Sequence, residues 1–115
     1  MIGNQSNTGE TLRFPAVPLS IGPVSVPNRV ILAPMSGITD APYRRLAERL
    51  GAGLVVSEMT ACAALAQGKR EARTRSQGRG VAIQVVQLAG CEPHWMAEGA
   101  RIASKQFWGN AAVNV

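Results

Sequence analysis

Apolar and polar positions show no sustained period over residues 1 to 17, where a loose leader is expected. Beyond it, Leu19-Ser20-Ile21 and Val24-Ser25-Val26 alternate with period two on either side of Gly22-Pro23. That spacing predicts a small β-hairpin. The run Val30-Ile31-Leu32-Ala33 is apolar throughout, as in a strand covered on both faces. The pattern then changes. Gly37-Ile38-Thr39-Asp40-Ala41-Pro42 reads as a turn into a helix, with Thr39 or Asp40 as cap and Pro42 in the first turn. Tyr43, Leu46, Ala47 and Leu50 recur at helical spacing on one face, and Gly51 is placed to end the helix. A second buried strand is expected over Gly53 to Glu58, and an alanine-rich helix over residues 61 to 72. A loop with two glycines, Ser76 to Gly80, leads to a third strand over Val81 to Leu88 that breaks at Gly90. Pro93 opens a third helix carrying Trp95, Met96, Ala100 and Ile102, and Ala112 to Val115 reads as the start of a fourth strand.

Strand and helix thus alternate three times, with continuously apolar strands. Parallel neighbours need a crossover between them, so the order predicts an α/β fold with a parallel sheet. An open doubly wound sheet and a segment of a TIM (β/α)8 barrel both satisfy the pattern. A closed eight-unit barrel takes about 250 residues, and 115 residues supply about the first three βα units.

Composition narrows the classes. At 46% hydrophobic and 17% charged, the chain is neither disordered nor membrane-spanning in character. No run of about 18 apolar residues occurs, and the polar start lacks the order of a secretory signal, so a cytoplasmic location is expected. The two cysteines, Cys62 and Cys91, form no C-x-x-C pair, and His94 is the single histidine. Neither a disulfide framework nor a metal site is expected, and all three residues read as packing or surface positions. The net charge of +5 is concentrated in Lys69, Arg70, Arg73, Arg75 and Arg79. Such a run suits a polyanionic partner, or simply a solvated helix end and loop.

In parallel α/β folds, ligands gather at the C-terminal ends of strands. The first such end is Ala33-Pro34-Met35-Ser36-Gly37, where proline sets the backbone direction and Ser36-Gly37 lets a flat ligand approach main-chain N–H groups. The second is Ser57-Glu58-Met59-Thr60, in which Glu58 reads equally as a salt-bridge partner or a helix cap. The third is Gln87-Leu88-Ala89-Gly90. The Gln87 amide can donate and accept together, as the edge of an isoalloxazine or a pyrimidine requires. Gln84 and Gln87 also read as edge positions of a strand, and the Pro-Met-Ser-Gly turn as a simple strand end. No G-x-G-x-x-G or G-x-x-x-x-G-K-[ST] sits at a strand-helix turn, which argues against Rossmann and P-loop readings.

Taken in order, these segments resemble one family. Asn28 to Arg44, read as NRVILAPMSGITDAPYR, is similar to the opening of bacterial FMN-dependent tRNA-dihydrouridine synthases. Gly51 to Met59 resembles their second strand and Val86 to Gly90 their third. Glu92-Pro93, Met96 to Glu98 and Ala100 to Ala103 resemble the helix that follows. The resemblance implies the N-terminal portion of an FMN-binding TIM barrel over residues 18 to 115. It also implies a reaction in which NADPH reduces FMN and the flavin passes hydride to a uridine of tRNA. By position, Pro34, Met35 and Ser36 match the turn that contacts the flavin, and Gln87 the glutamine that contacts its ring. Glu58 matches a position near the site to which no role is given, and the basic stretch Lys69 to Arg79 would face tRNA.

The chain departs from the pattern after Ala103. Phe107-Trp108 is foreign to the family there, and the N-M-G-C-P segment bearing its general-acid cysteine would lie beyond Val115. Neither Cys62 nor Cys91 matches that cysteine. An incomplete gene product, a frameshift near residue 104 and a genuinely short protein each account for this, and the stretch alone is expected to be inactive. The alternative functions are a non-catalytic basic RNA-binding fragment and another FMN-barrel oxidoreductase.

Overall fold

The computed structural model describes residues 17–106 and 112–114. The leader expected over 1 to 17 therefore lies, except for Val17, outside the described residues. The hairpin forms as the alternation requires: β1 (Leu19–Ile21) pairs antiparallel with β2 (Val24–Val26), Leu19 opposite Val26.

Three further strands, β3 (Ile31–Leu32), β4 (Leu54–Val56) and β6 (Gln84–Val86), run parallel with β8 (Ala112–Asn114) in the order β3-β4-β6-β8. The register sets Leu32 beside Val55, Val55 beside Gln84 and Val85 beside Val113. Because successive side chains alternate faces, Leu54, Val56, Ile83 and Val85 point one way and pack with Val24 and Val26 of the hairpin. Val86 points the other way, into a second cluster with Leu65, Ala72 and Ala103 from the helices. The hairpin thus covers one face of the sheet and the helices the other. Each fully buried valine contributes about 1.5–3 kcal/mol.

The first crossover is α1 (Ala41–Arg49), capped by Asp40, whose carboxylate accepts the Tyr43 N–H at 2.9 Å. Of the two cap candidates, Asp40 fills the role, and Pro42 lies in the first turn as expected. Four sequence expectations need correction. The helix expected over 61 to 72 is two: α2 (Cys62–Ala66) and α3 (Arg70–Ser76), parted by a turn at Gly68. The third strand is shorter than Val81 to Leu88: β6 ends at Val86, and Leu88–Ala89 form a separate short strand, β7, paired with β5 (Thr60–Ala61). The helix opened by Pro93, α4 (Pro93–Lys105), is consequently the fourth.

The other two corrections concern which side faces inward. Tyr43, Leu46 and Leu50 lie on the outer side of α1, 41%, 48% and 76% exposed, while Arg44 is the buried residue of that helix. Ile31, expected in a doubly covered strand, is 49% exposed, because β3 is an edge strand among the described residues. No helix of the described residues is long and apolar enough to cross a membrane.

Candidate functional site

The parallel sheet brings the C-terminal ends of β3, β4 and β6 to one edge, in that order. Neighbouring strands lie about 4.8 Å apart, so the turn after β3 and the end of β6 are separated by about 10 Å, with the end of β4 between them.

The first end is a closed turn. Ile38 and Thr39 both donate their N–H to the Met35 carbonyl, at 3.1 and 2.9 Å. The Thr39 hydroxyl, fully buried, accepts the Met35 N–H at 2.8 Å and donates back to the Met35 carbonyl at 3.1 Å. Gly37 adopts φ +75°, a conformation that costs a residue with a Cβ about 1 kcal/mol or more. These bonds use up the inward polar groups of the turn and leave Ser36 exposed at its tip. Among the described residues, neither the Ser36 N–H nor its hydroxyl donates to a protein acceptor.

The second and third ends are joined where the β4/β6 ladder is interrupted. Three residues, Ser57 to Met59, stand against two, Val86 and Gln87, before pairing resumes as β5 and β7. Such a bulge re-aims the side chains beside it. The Gln87 N–H donates not to a strand carbonyl but to the buried Ser57 hydroxyl at 3.1 Å, and the Gln87 carbonyl accepts the Thr60 N–H at 2.8 Å. With its main chain pinned on both sides, half-buried Gln87 keeps its side-chain amide unbonded among the described residues.

Glu58 links the second end to the first. It is 8% exposed, and its Oε2 accepts the Gly37 N–H at 3.0 Å. Among the described residues it is thus neither the salt-bridge partner nor the helix cap that its type suggested. Gln84, read as an edge position, sits in an interior strand with its amide donating to the Ser76 carbonyl. It serves packing.

Arg44 was missed by sequence reasoning except as the end of a motif. It is 1% exposed. Its Nε donates to the Thr39 carbonyl at 3.2 Å and its Nη2 to the Gln77 carbonyl at 2.7 Å, with longer contacts to the Asp40 and Arg75 carbonyls. Burial pushes the guanidinium below its usual pKa, while the charges of Glu58 and Asp40 pull it back up. Arg44 therefore ties the turn after β3 to the end of the basic helix α3. A cleft of about 350 Å³ opens there, lined by Asp40, Arg44, Arg45, Glu58 and Thr74 among others. The only sequence signal for this role was an arginine four residues past a helix cap.

The basic stretch is surface. Lys69, Arg70, Arg73, Arg75 and Arg79 are all exposed, and Arg75 pairs with Glu71 one turn earlier. That exposed pair is worth about 0.3–0.5 kcal/mol. Cys62 is buried at the contact of α2 with α4, its Sγ 3.5 Å from the Met96 sulfur, and burial raises its thiol pKa. Such a thiol is a poor proton donor or nucleophile. Cys91 is exposed and lies outside the three strand ends. No group of three or more His, Cys, Asp or Glu among the described residues is arranged to hold a metal.

The donor set suits a flat, partly polar ligand: Pro34 and Met35 offer apolar contact, and Ser36 and Gln87 offer unspent donors two strands away. A flavin has both a hydrophobic ring and a polar pyrimidine edge, and the residues present fit it.

The dihydrouridine synthase (Dus) family model matches residues 31–115. A probable tRNA-dihydrouridine synthase of Rhizobium leguminosarum bv. phaseoli is 56% identical over 81 residues, 70% of this chain and 26% of that protein. tRNA-dihydrouridine synthase B of Xanthomonas axonopodis pv. citri is 49% identical over 84 residues, 72% of this chain and 25% of its own. The Pseudomonas aeruginosa synthase B is 48% identical over 82 residues, 70% of this chain and 25% of its own. The chain thus spans about a quarter of the length of these relatives. No solved structure matches it. The family expected from the resemblance over about Leu19 to Ala103 is the family found, and the chain belongs to the dihydrouridine synthases.

Proposed function

We propose that this chain is part of an enzyme that reduces uridine to dihydrouridine in tRNA, using FMN and NADPH, and that its strands form the first units of a TIM barrel. What supports this most is one juxtaposition: in a chain of this family, Ser36 and Gln87 bring unpaired donors to the same edge of a parallel sheet. FMN, when bound, would carry reducing equivalents from NADPH to the C5–C6 bond of the base.

The chain's own residues have three tasks in this reading. Pro34 and Met35 cover the apolar ring, while Ser36 and the Gln87 amide orient its polar edge. The Ser57 hydroxyl and Thr60 N–H hold the Gln87 backbone, so the amide is presented without reorganisation. The exposed cations of α3 attract the tRNA phosphates. The target uridine leaves its stack to reach the flavin, which costs a few kcal/mol that these phosphate contacts help to offset. Such an enzyme works in the cytoplasm, where tRNA is.

The test is genetic and chemical. Deleting the gene should remove dihydrouridine from specific tRNA positions, read by mass spectrometry of digested tRNA. The wild-type gene should restore it, and a Gln87→Ala gene should restore much less. Unchanged dihydrouridine after deletion would refute the proposal.

A further inference from the structure

The three strand ends are spaced by polar side chains that are themselves withdrawn from water. Among the described residues, the Glu58 carboxylate, 8% exposed, accepts a single neutral N–H, that of Gly37, at 3.0 Å. Desolvating a carboxylate costs several kcal/mol, and one N–H does not return all of that. The charge is balanced at longer range by buried Arg44, which approaches the same turn from the other side through the Thr39 carbonyl. On the strand side, the Glu58 carbonyl accepts the hydroxyls of Ser57 and Thr60, at 3.1 and 3.3 Å. Ser57 in turn holds the Gln87 N–H. Among the described residues, Glu58 is thus the one bonded both to the turn after β3, through its side chain, and to the frame of Gln87, through its main chain.

We propose that Glu58 is a positioning residue that sets the separation between the Ser36 turn and Gln87, acting through the Gly37 N–H. This inference rests on the flavin reading of the site. The length of the side chain and the acceptor at its end matter, and its negative charge does not. Glutamine has the same length and keeps a carbonyl acceptor. Aspartate keeps the charge but is one methylene short of Gly37. A role based on charge alone would rank the two replacements the other way round.

The experiment is an FMN titration of the full chain and of E58Q and E58D, followed by flavin fluorescence and by the Gly37 amide resonance. Circular dichroism establishes that each variant is folded. E58Q should bind FMN within about threefold of wild type and keep a protected Gly37 amide. E58D should bind about tenfold more weakly and lose that protection, the loss of one hydrogen bond. The reverse order of affinities, or equal affinities for all three proteins, would overturn the proposal. Should E58D fail to fold, the E58Q result decides alone, because tenfold weakening by glutamine contradicts the proposal. Failure of the wild-type chain to bind FMN would instead overturn the flavin reading, while Gly37 protection in E58Q and E58D would still report on the Glu58 bond.

Discussion

Replacing Arg44 by methionine should cost about 2–4 kcal/mol of stability, and the structure shows why the figure is neither smaller nor larger. Two of the four guanidinium contacts are well placed, Nη2 to the Gln77 carbonyl at 2.7 Å and Nε to the Thr39 carbonyl at 3.2 Å. Those to Arg75 and Asp40, at 3.3 and 3.4 Å, share the same nitrogens. Two charge-assisted bonds at about 1.5–3 kcal/mol each give about 3–6 kcal/mol gross. Methionine also removes a buried charge, whose desolvation returns part of that sum. The Asp40 carbonyl loses little, because it still accepts the Arg44 backbone N–H at 3.0 Å. Lysine reaches one of the two carbonyl groups, so Arg44→Lys should cost about half as much. Urea unfolding measures both. With a slope of about 2 kcal/mol per molar, Arg44→Met should lower the midpoint by about 1–2 M with the slope unchanged. A shift below about 0.3 M would refute the reasoning, since the guanidinium would then be contributing no net stability.

Four further outcomes are expected. In Gly99→Ala the new Cβ would sit 2.7 Å from Cys62 Sγ and 3.0 Å from its Cα, so α2 and α4 must part; overpacking of about 1–3 kcal/mol outweighs the helix-propensity gain of about 1 kcal/mol, and thermal melting should show a net loss. Ser57→Ala leaves the Gln87 N–H without its acceptor, and should cost about 1–3 kcal/mol in urea and speed hydrogen exchange at Gln87. Native alkylation should modify exposed Cys91 well before Cys62. Because burial raises the folded-state pKa of Cys62, its protonated thiol adds stability that is complete below the unfolded value and lost as pH rises through the folded one, so stability should fall above about pH 9 and fall less in Cys62→Ala.

Much of the fold can be read from local chemistry. The hairpin at Gly22-Pro23, the Asp40 cap and the order of parallel strands follow from alternation, turn residues and apolar runs. The strand ends carrying Ser36 and Gln87 were legible for the same reason. Periodicity was less informative about α1: it shows that Tyr43, Leu46 and Leu50 share a face, but not which face meets the sheet. Arg44 occupies the inner face because four carbonyls converge there from two segments more than thirty residues apart. No local pattern encodes that meeting. The bulge opposite Gln87 is also a property of the pair of strands, which explains why the third strand looked longer in the sequence than in the fold.

The central claim is that Ser36 and Gln87 together receive a flavin. Titrating FMN into the labelled chain while recording amide resonances tests it most directly, because weak binding still moves the signals of contacting groups. The backbone amide of Ser36 and the side-chain amide of Gln87 should shift together along one saturation curve. Shifts confined to Lys69 through Arg79, the pattern of a polyanion on a basic surface, or no shifts at all, would contradict the account.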